Sequence, residues 1–182
     1  MSGSFRIEGT RALLHSYVFD VERRIVAHEG ATFERDVVLH PGAVAILALD
    51  DHQRVGLVRQ YRATVDRVTL EIPAGTQDVA GESPLATAQR ELLEELGCSG
   101  ASWRELGRFM SSPGWTDQIM TIFEARELTM RARDPEGPEE SAAQVLWLTR
   151  EELRVALARE DAIDSTMAVA LHRVFGTFFD LI

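Results

Sequence analysis

Between Ser83 and Gly97 the chain carries a helix with both ends written into the sequence. Ser83 suits the capping position, Pro84 the first helical position and Gly97 the place just past the end. Leu85, Ala88, Leu92 and Leu96 recur at helical spacing and form an apolar stripe. Such a stripe has to be covered by another element. Strand patterns lie on both sides of it. Ala43 to Leu49, Arg54 to Tyr61 and Val68 to Ile72 precede the helix, and Pro73-Ala74-Gly75 stops the third. Trp103 to Met110, Ile119 to Glu127 and Val145 to Leu148 follow it. Thr149 and Glu152 have the spacing of a capping box opening a further helix, and a last helix runs from about Ser165 into Phe178. This order predicts a mixed α/β sandwich.

Upstream, residues 13 to 40 read as short strands turned at His28-Glu29-Gly30, with Tyr17, Phe19 and Val21 alternating as a half-buried strand does. Pro41-Gly42 punctuates the chain. Residues 1–41 therefore form an N-terminal strand element and residues 42–182 the main domain. Residues 131–142, charged and carrying two prolines, read as a loop.

A length of 182 residues suits one domain with a small extension. A single cysteine, Cys98, excludes a disulfide framework and a Cys-rich zinc site. The longest apolar run, Ala43 to Leu49, is seven residues, far short of a membrane span. Met1 to Gly9 lacks the apolar stretch of a signal peptide, so the cytoplasm is the expected compartment. A net charge of −10 does not suit a general nucleic-acid binder. All 19 basic residues are arginine, a side chain suited to bidentate phosphate contacts. The five histidines are scattered, with no pair at helical spacing for a metal.

Glu91, Glu94 and Glu95 share one sector of the helix, beside the apolar stripe. Like charges three and four residues apart oppose folding by a few tenths of a kcal/mol per pair. A hard cation such as Mg²⁺, which takes carboxylate oxygens and keeps several waters, would offset that. A solvated helix face is the alternative reading of the same cluster.

The surroundings of the cluster bear on that choice. Gly75 is followed by six residues, Glu82, seven residues, and then Arg90-Glu91-Leu92-Leu93-Glu94-Glu95-Leu96-Gly97-Cys98. This closely resembles the Nudix box, whose pattern is Gly, five residues, Glu, seven residues, Arg-Glu-aliphatic-x-Glu-Glu-x-Gly-aliphatic. Seven fixed identities and one aliphatic position match. The first gap is one residue longer, with Gly81 where the Glu would fall, and Cys98 replaces an aliphatic residue. Arg59-Gln60-Tyr61-Arg62, followed by Leu70-Glu71-Ile72-Pro73-Ala74-Gly75, looks like the ADP-ribose pyrophosphatase branch. So does Pro113, fifteen residues past Cys98 within Ser112-Pro113-Gly114. The likeness covers roughly residues 13–150.

The resemblance implies a Nudix-type α/β/α sandwich with a mixed sheet, plus a small N-terminal antiparallel strand element. It implies Mg²⁺- or Mn²⁺-dependent hydrolysis of a nucleoside diphosphate derivative, for ADP-ribose giving AMP and ribose 5-phosphate. A nucleotide sugar such as GDP-mannose, or a dinucleotide, is the nearest alternative substrate, and a nucleotide-sensing module without catalysis a more distant one. Carried over by position, Glu91 and Glu95 would bind metal with Glu94 assisting, and the Ala74 carbonyl would complete the shell. Arg90 would orient the glutamates, while Gly75, Glu82, Gly97 and Pro113 complete the motif. Glu139 and Glu140 occupy the region that supplies a further catalytic carboxylate in the branch, and the spacing does not choose between them. Arg62, Arg35 and Glu71 would contact substrate, with surface ion pairs the other reading for the two arginines. Ser112, Gly114 and Gln118 would line a specificity turn, where the branch often has Glu in place of Gln118. Members of the branch are typically dimers whose N-terminal strands help build the partner's site, so a homodimer is expected, with no nucleic-acid or membrane partner.

Overall fold

In the computed structural model, which describes residues 4–176, the chain divides into two compact units. One comprises residues 1–42 with 109–120, the other residues 43–108 with 121–182.

The first unit is built on a three-stranded antiparallel sheet in the order β1 (Arg6–His15), β2 (Asp20–His28), β3 (Ala31–Leu39). Glu29 and Gly30, both at positive φ, form the two-residue connection that reverses the chain between β2 and β3. The sequence reading needs two corrections here. The first strand begins at Arg6, well before residue 13. Tyr17 belongs to no strand: it sits in the β1–β2 loop, closed by the bond from Ser16 N to Phe19 O, and is 97% exposed.

The second unit holds the core. Its strands are β4 (Ala43–Ala48), β5 (Val55–Arg62), β6 (Arg67–Glu71) and β7 (Ala74–Thr76), then β8 (Cys98–Met110), β9 (Ile119–Met130) and β10 (Gln144–Leu148), β8 and β9 reaching into the other unit's residues. They form sheets in the orders β7-β4-β9-β8 and β10-β5-β6. The helices are α1 (Pro84–Leu96), α2 (Gly137–Ala142), α3 (Arg150–Leu157) and α4 (Ser165–Phe175). Every residue of β4 is buried. Val44, Ile46 and Ala48 join Ala88, Leu92 and Leu96 of α1 in the core. Alternation turns Ala45 and Leu47 to the opposite face of the sheet. α4, with buried Met167, Ala170 and Leu171, also packs on β4. The architecture is the mixed α/β sandwich that the order of elements predicts.

Three local findings differ from or complete the sequence reading. Residues 137–142 are a short helix, not loop, so Glu139 and Glu140 are helical. Leu85 is 37% exposed, and the buried face of α1 is Thr87, Ala88, Glu91, Leu92, Glu95 and Leu96. Two glutamates thus lie within the buried stripe, not beside it. The Thr149–Glu152 capping box forms as read, and α4 is described to Phe175; its expected continuation to Phe178 lies outside the described residues.

Candidate active site

α1 is the platform of the site. The Ser83 hydroxyl accepts from Ala86 N at 3.2 Å, and Gly97 N closes the last turn on Leu93 O at 3.0 Å. With both ends fixed and Leu92 and Leu96 in the core, Glu91 and Glu95 are held at 6% and 3% exposure, while Glu94 is half-buried. Burial is the first reason that Glu91 is pushed up to about 7 and Glu95 to about 8. The neighbouring charges of Glu94 and Glu140 add to it for Glu91, and those of Glu91 and Glu140 for Glu95.

β7 lies against this helix. Ala74 N donates to Glu95 Oε2 at 3.2 Å. Gly75 gives way to the other carboxylate: a Cβ at this position would stand 1.9 Å from Glu91 Cδ. Only a residue without a side chain leaves Glu91 that room.

Arg90 gathers the acids from the other side. Its Nη1 is 2.9 Å from Glu91 Oε1 and 3.0 Å from Glu94 Oε2, and its Nη2 is 3.6 Å from both Glu82 and Asp78. Nε and Nη2 are buried without a hydrogen-bond partner. Glu82 is tied in by Thr87 Oγ1, which donates to its Oε2 at 2.9 Å. The extra residue before Glu82 is absorbed by a turn: Glu82 N donates to Val79 O at 3.1 Å, and Gly81 takes φ +82°. A left-handed residue is needed at that point, and glycine supplies it without a steric cost.

Among the described residues no three His, Cys, Asp or Glu side chains converge as a ready-made metal centre. Arg90 stands between Glu91 and Glu94, and Glu95 turns to the Ala74 N–H. The donor set is nonetheless one that a hard cation takes, carboxylates on a single rigid helix with a backbone strand beside them. Burial holds both carboxyls above their ordinary range even though Arg90 acts on Glu91 and Arg62 on Glu95, and a divalent ion would favour their charged forms further.

α2 brings the remaining acids to this unit. Glu140 acts electrostatically on Glu91, Glu94 and Glu95, raising all three, whereas Glu139 acts on Tyr61 and Arg62. Glu140 Oε2 accepts from Glu136 N at 2.7 Å. Glu139 lines a cavity of about 630 Å³ with Arg59, Tyr61, Val68, Pro138 and Ala142.

Arg62 and Glu71, both read as substrate contacts, are paired with each other. Arg62 Nη2 donates to Glu71 Oε2 at 2.6 Å and Nε to Oε1 at 3.0 Å, and Thr69 Oγ1 donates to Oε1 at 2.6 Å. Burial pushes Glu71 up, but these bonds outweigh it and hold the carboxyl below its ordinary value.

The other expected residues lie in the first unit. The Arg35 guanidinium sits 4.6 Å over the Phe33 ring, and its Nη1 donates to Glu34 O. Ser112 O accepts from Trp115 N and Thr116 N, each at 3.1 Å, closing the turn that contains Pro113 and Gly114. Gln118 Nε2 is 3.3 Å from the His40 ring.

Sequence reasoning missed Thr69, Thr87 and Arg133. Thr87 lies five residues beyond Glu82, a spacing at which a helix start can fold the two together. Arg133 carries no sequence signal, since its bonds run to backbone carbonyls.

A model of the NUDIX domain matches residues 39–169. The chain is 36% identical over 155 residues to the ADP-ribose pyrophosphatase of Bacillus subtilis (strain 168), a match covering 85% of this chain and 81% of the relative. It is 38% identical over 152 residues to the ADP-ribose pyrophosphatase of Mycobacterium tuberculosis, covering 82% and 73%. A crystal structure of an ADP compounds hydrolase shares the fold at TM-score 0.82 and 22% identity, over 99% of this chain and 96% of that one. The glutamate helix, its glycine-bearing strand and the extent of these matches agree: the chain belongs to the NUDIX family and is a Nudix pyrophosphohydrolase, a hydrolase of nucleoside diphosphate derivatives.

Proposed function

We propose that the chain hydrolyses ADP-ribose to AMP and ribose 5-phosphate with the help of Mg²⁺ or Mn²⁺. The observation that carries this reading is the burial of Glu91 and Glu95 on one face of α1 against β7, two carboxyls that a bound cation would stabilise in their charged form. The similarity to two ADP-ribose pyrophosphatases supports the choice of substrate.

Glu91, Glu94 and Glu95, with the Ala74 carbonyl, would hold the ion. Bound there, it neutralises the pyrophosphate and lowers the pKa of water. Arg90 orients Glu91 and Glu94 through the bonds it already makes to them. Glu140, whose charge acts on all three helix glutamates, takes a proton from the attacking water in this reading, as the P–O bond to the bridging oxygen breaks and each product keeps one phosphate. Glu139 faces the cavity beside Tyr61 and serves binding. Arg62 offers the phosphates a guanidinium that Glu71 has already set in position. Arg35, Ser112, Gly114 and Gln118 complete substrate recognition.

Residues 1–41 serve as a dimerisation element of a homodimer. Phe5, Ile7 and Leu14 of this segment are each more than half exposed, which is apolar surface suited to a partner. No described helix is long and apolar enough to cross a membrane, and the cytoplasm is the compartment that this reading expects.

A second reading keeps the chemistry and changes the terminal group to another sugar. Gln118 favours it, because a neutral amide stands where the branch often has a carboxylate. Product analysis separates these readings. The protein is incubated with Mg²⁺ and, separately, ADP-ribose, NADH, GDP-mannose and diadenosine tetraphosphate, with Glu95→Gln as the control. AMP and ribose 5-phosphate chiefly from ADP-ribose is the expected result. Faster turnover of another compound replaces the substrate, and no turnover of any with Mg²⁺ or Mn²⁺ leaves a nucleotide-sensing module.

A further inference from the structure

α2 is too short to hold itself. It has six residues, none of them buried, and its N-cap, Glu136, makes no side-chain capping bond. A helix of one and a half turns is marginal in water and depends on tertiary contacts. Arg133 supplies one at the open end. Its Nη2 donates to Glu140 O at 3.1 Å and its Nη1 lies 3.4 Å from Ala143 O. Glu140 O also accepts from Ala143 N at 3.1 Å, so Arg133 adds a second donor at this end of the helix, where a cation meets the negative end of the helix dipole.

The same arginine is anchored on α1. A Cβ on Gly97, the residue that ends α1, would lie 2.8 Å from Arg133 Cγ and 2.9 Å from Arg131 O. Arg131 N donates to Gly97 O at 2.7 Å. The stem of Arg133 therefore rests on the end of the helix that carries Glu91, Glu94 and Glu95, while its head grips the end of the helix that carries Glu140. Both bonds of the Arg133 head run to backbone carbonyls and neither to a carboxylate. It acts as a brace between two backbone ends.

We propose that Arg133 is a positioning residue for hydrolysis: by clamping the C-terminal carbonyls of α2 to the end of α1, it sets the distance from Glu140 to the glutamates of the Nudix helix. The inference rests on the reading of Glu140 as the carboxylate that takes the proton.

The test uses the full chain with ADP-ribose and Mg²⁺. Arg133→Met keeps the packed stem and removes the two bonds, and Arg133→Lys retains a single donor. We expect Arg133→Met to lower kcat on the order of tenfold to a hundredfold, as small misplacements of a catalytic group do, while KM stays within about twofold. Arg133→Lys recovers part of the loss. In a Glu140→Gln background Arg133→Met costs nothing further, because the group it positions is already disabled. Circular dichroism and Tm accompany each variant, and Arg133→Lys carries the test should Arg133→Met fail to fold. Wild-type kcat in Arg133→Met, with Glu140→Gln inactive, overturns the positioning role alone. An equal further loss in the Glu140→Gln background also overturns it, since a general structural defect would behave that way. Wild-type activity in Glu140→Gln overturns the role of Glu140 and this inference with it.

Discussion

The carboxyl carbon of Glu91 stands 1.9 Å from the place where a Cβ on residue 75 would be, so Gly75 and Glu91 share room that holds only one side chain. The first letter of the motif and a glutamate sixteen positions later are thus two sides of one contact. Gly75 does not occupy the left-handed region, so its backbone accepts alanine. The added methyl has to move the far end of a flexible side chain, which strains the fold little and displaces a carboxylate at the site. Gly75→Ala should therefore lower kcat by about a hundredfold, the cost of an ångström-scale misplacement. Its Tm should stay within a few degrees of wild type. A Gly75→Ala protein with full activity would show that the position of Glu91 is unimportant.

Glu95 is more deeply buried than Glu91, and it accepts a hydrogen bond from Ala74 N. Glu95→Gln keeps shape and an acceptor for that bond while removing the charge. Turnover with Mg²⁺ should nearly vanish, with far-UV circular dichroism unchanged. Kinetics across a Mg²⁺ series would check it, since most of the activity surviving at saturation would remove Glu95 from the metal site.

How much of this was legible in the sequence depended on whether the determinants were local. Ser83, Pro84 and Gly97 fix the ends of α1 within a few residues of themselves, and the helix forms over the expected span. The motif glutamates follow from it because a helix fixes their angular spacing. α2 was not legible: Pro135, Gly137 and Pro138 read as loop, and the contacts that hold the helix, with β5 and with Arg133 at its far end, come from outside the segment. The pairing of Arg62 with Glu71 was equally hidden, because the register of β5 against β6 sets Arg62 opposite Arg67 and Glu71 opposite Val58, and the two side chains meet only by reaching along the sheet. Leu85 shows the limit of periodicity: the stripe has the right spacing, yet the face that meets β7 is chosen by the site, and it takes Glu91 and Glu95 instead.

Glu139 and Glu140 are adjacent in sequence and divided in their surroundings. Glu140 raises the three helix glutamates, whereas Glu139 acts on Tyr61 and Arg62 and lines the cavity beside them. Steady-state kinetics of the two glutamine variants should separate them. Glu140→Gln should lose about 10²- to 10³-fold in kcat, in the range for a general base. Glu139→Gln should act mainly on KM, by a few-fold. The reverse pattern would exchange their roles.

Acidity and metal binding are linked at α1. Glu91 and Glu95 stand at about 7 and about 8 in the folded chain, above the ordinary glutamate value near 4.5, chiefly because burial disfavours their charge. Between those values the folded state holds protons that the unfolded chain has released, so stability from these two groups is fully present below about pH 4.5 and is lost as pH rises through 7 to 8. A divalent ion binds the ionised carboxylates and so competes with those protons. In a chelator the wild-type Tm should fall between about pH 6 and 8.5 by more than that of a Glu91→Gln/Glu95→Gln double variant. The rise in Tm on adding saturating Mg²⁺ should be larger at the higher pH, by several degrees, and absent in the double variant. Thermal melts across this range, with and without Mg²⁺, provide the check. A Mg²⁺-induced shift that is independent of pH, or that persists in the double variant, would place the ion on other groups.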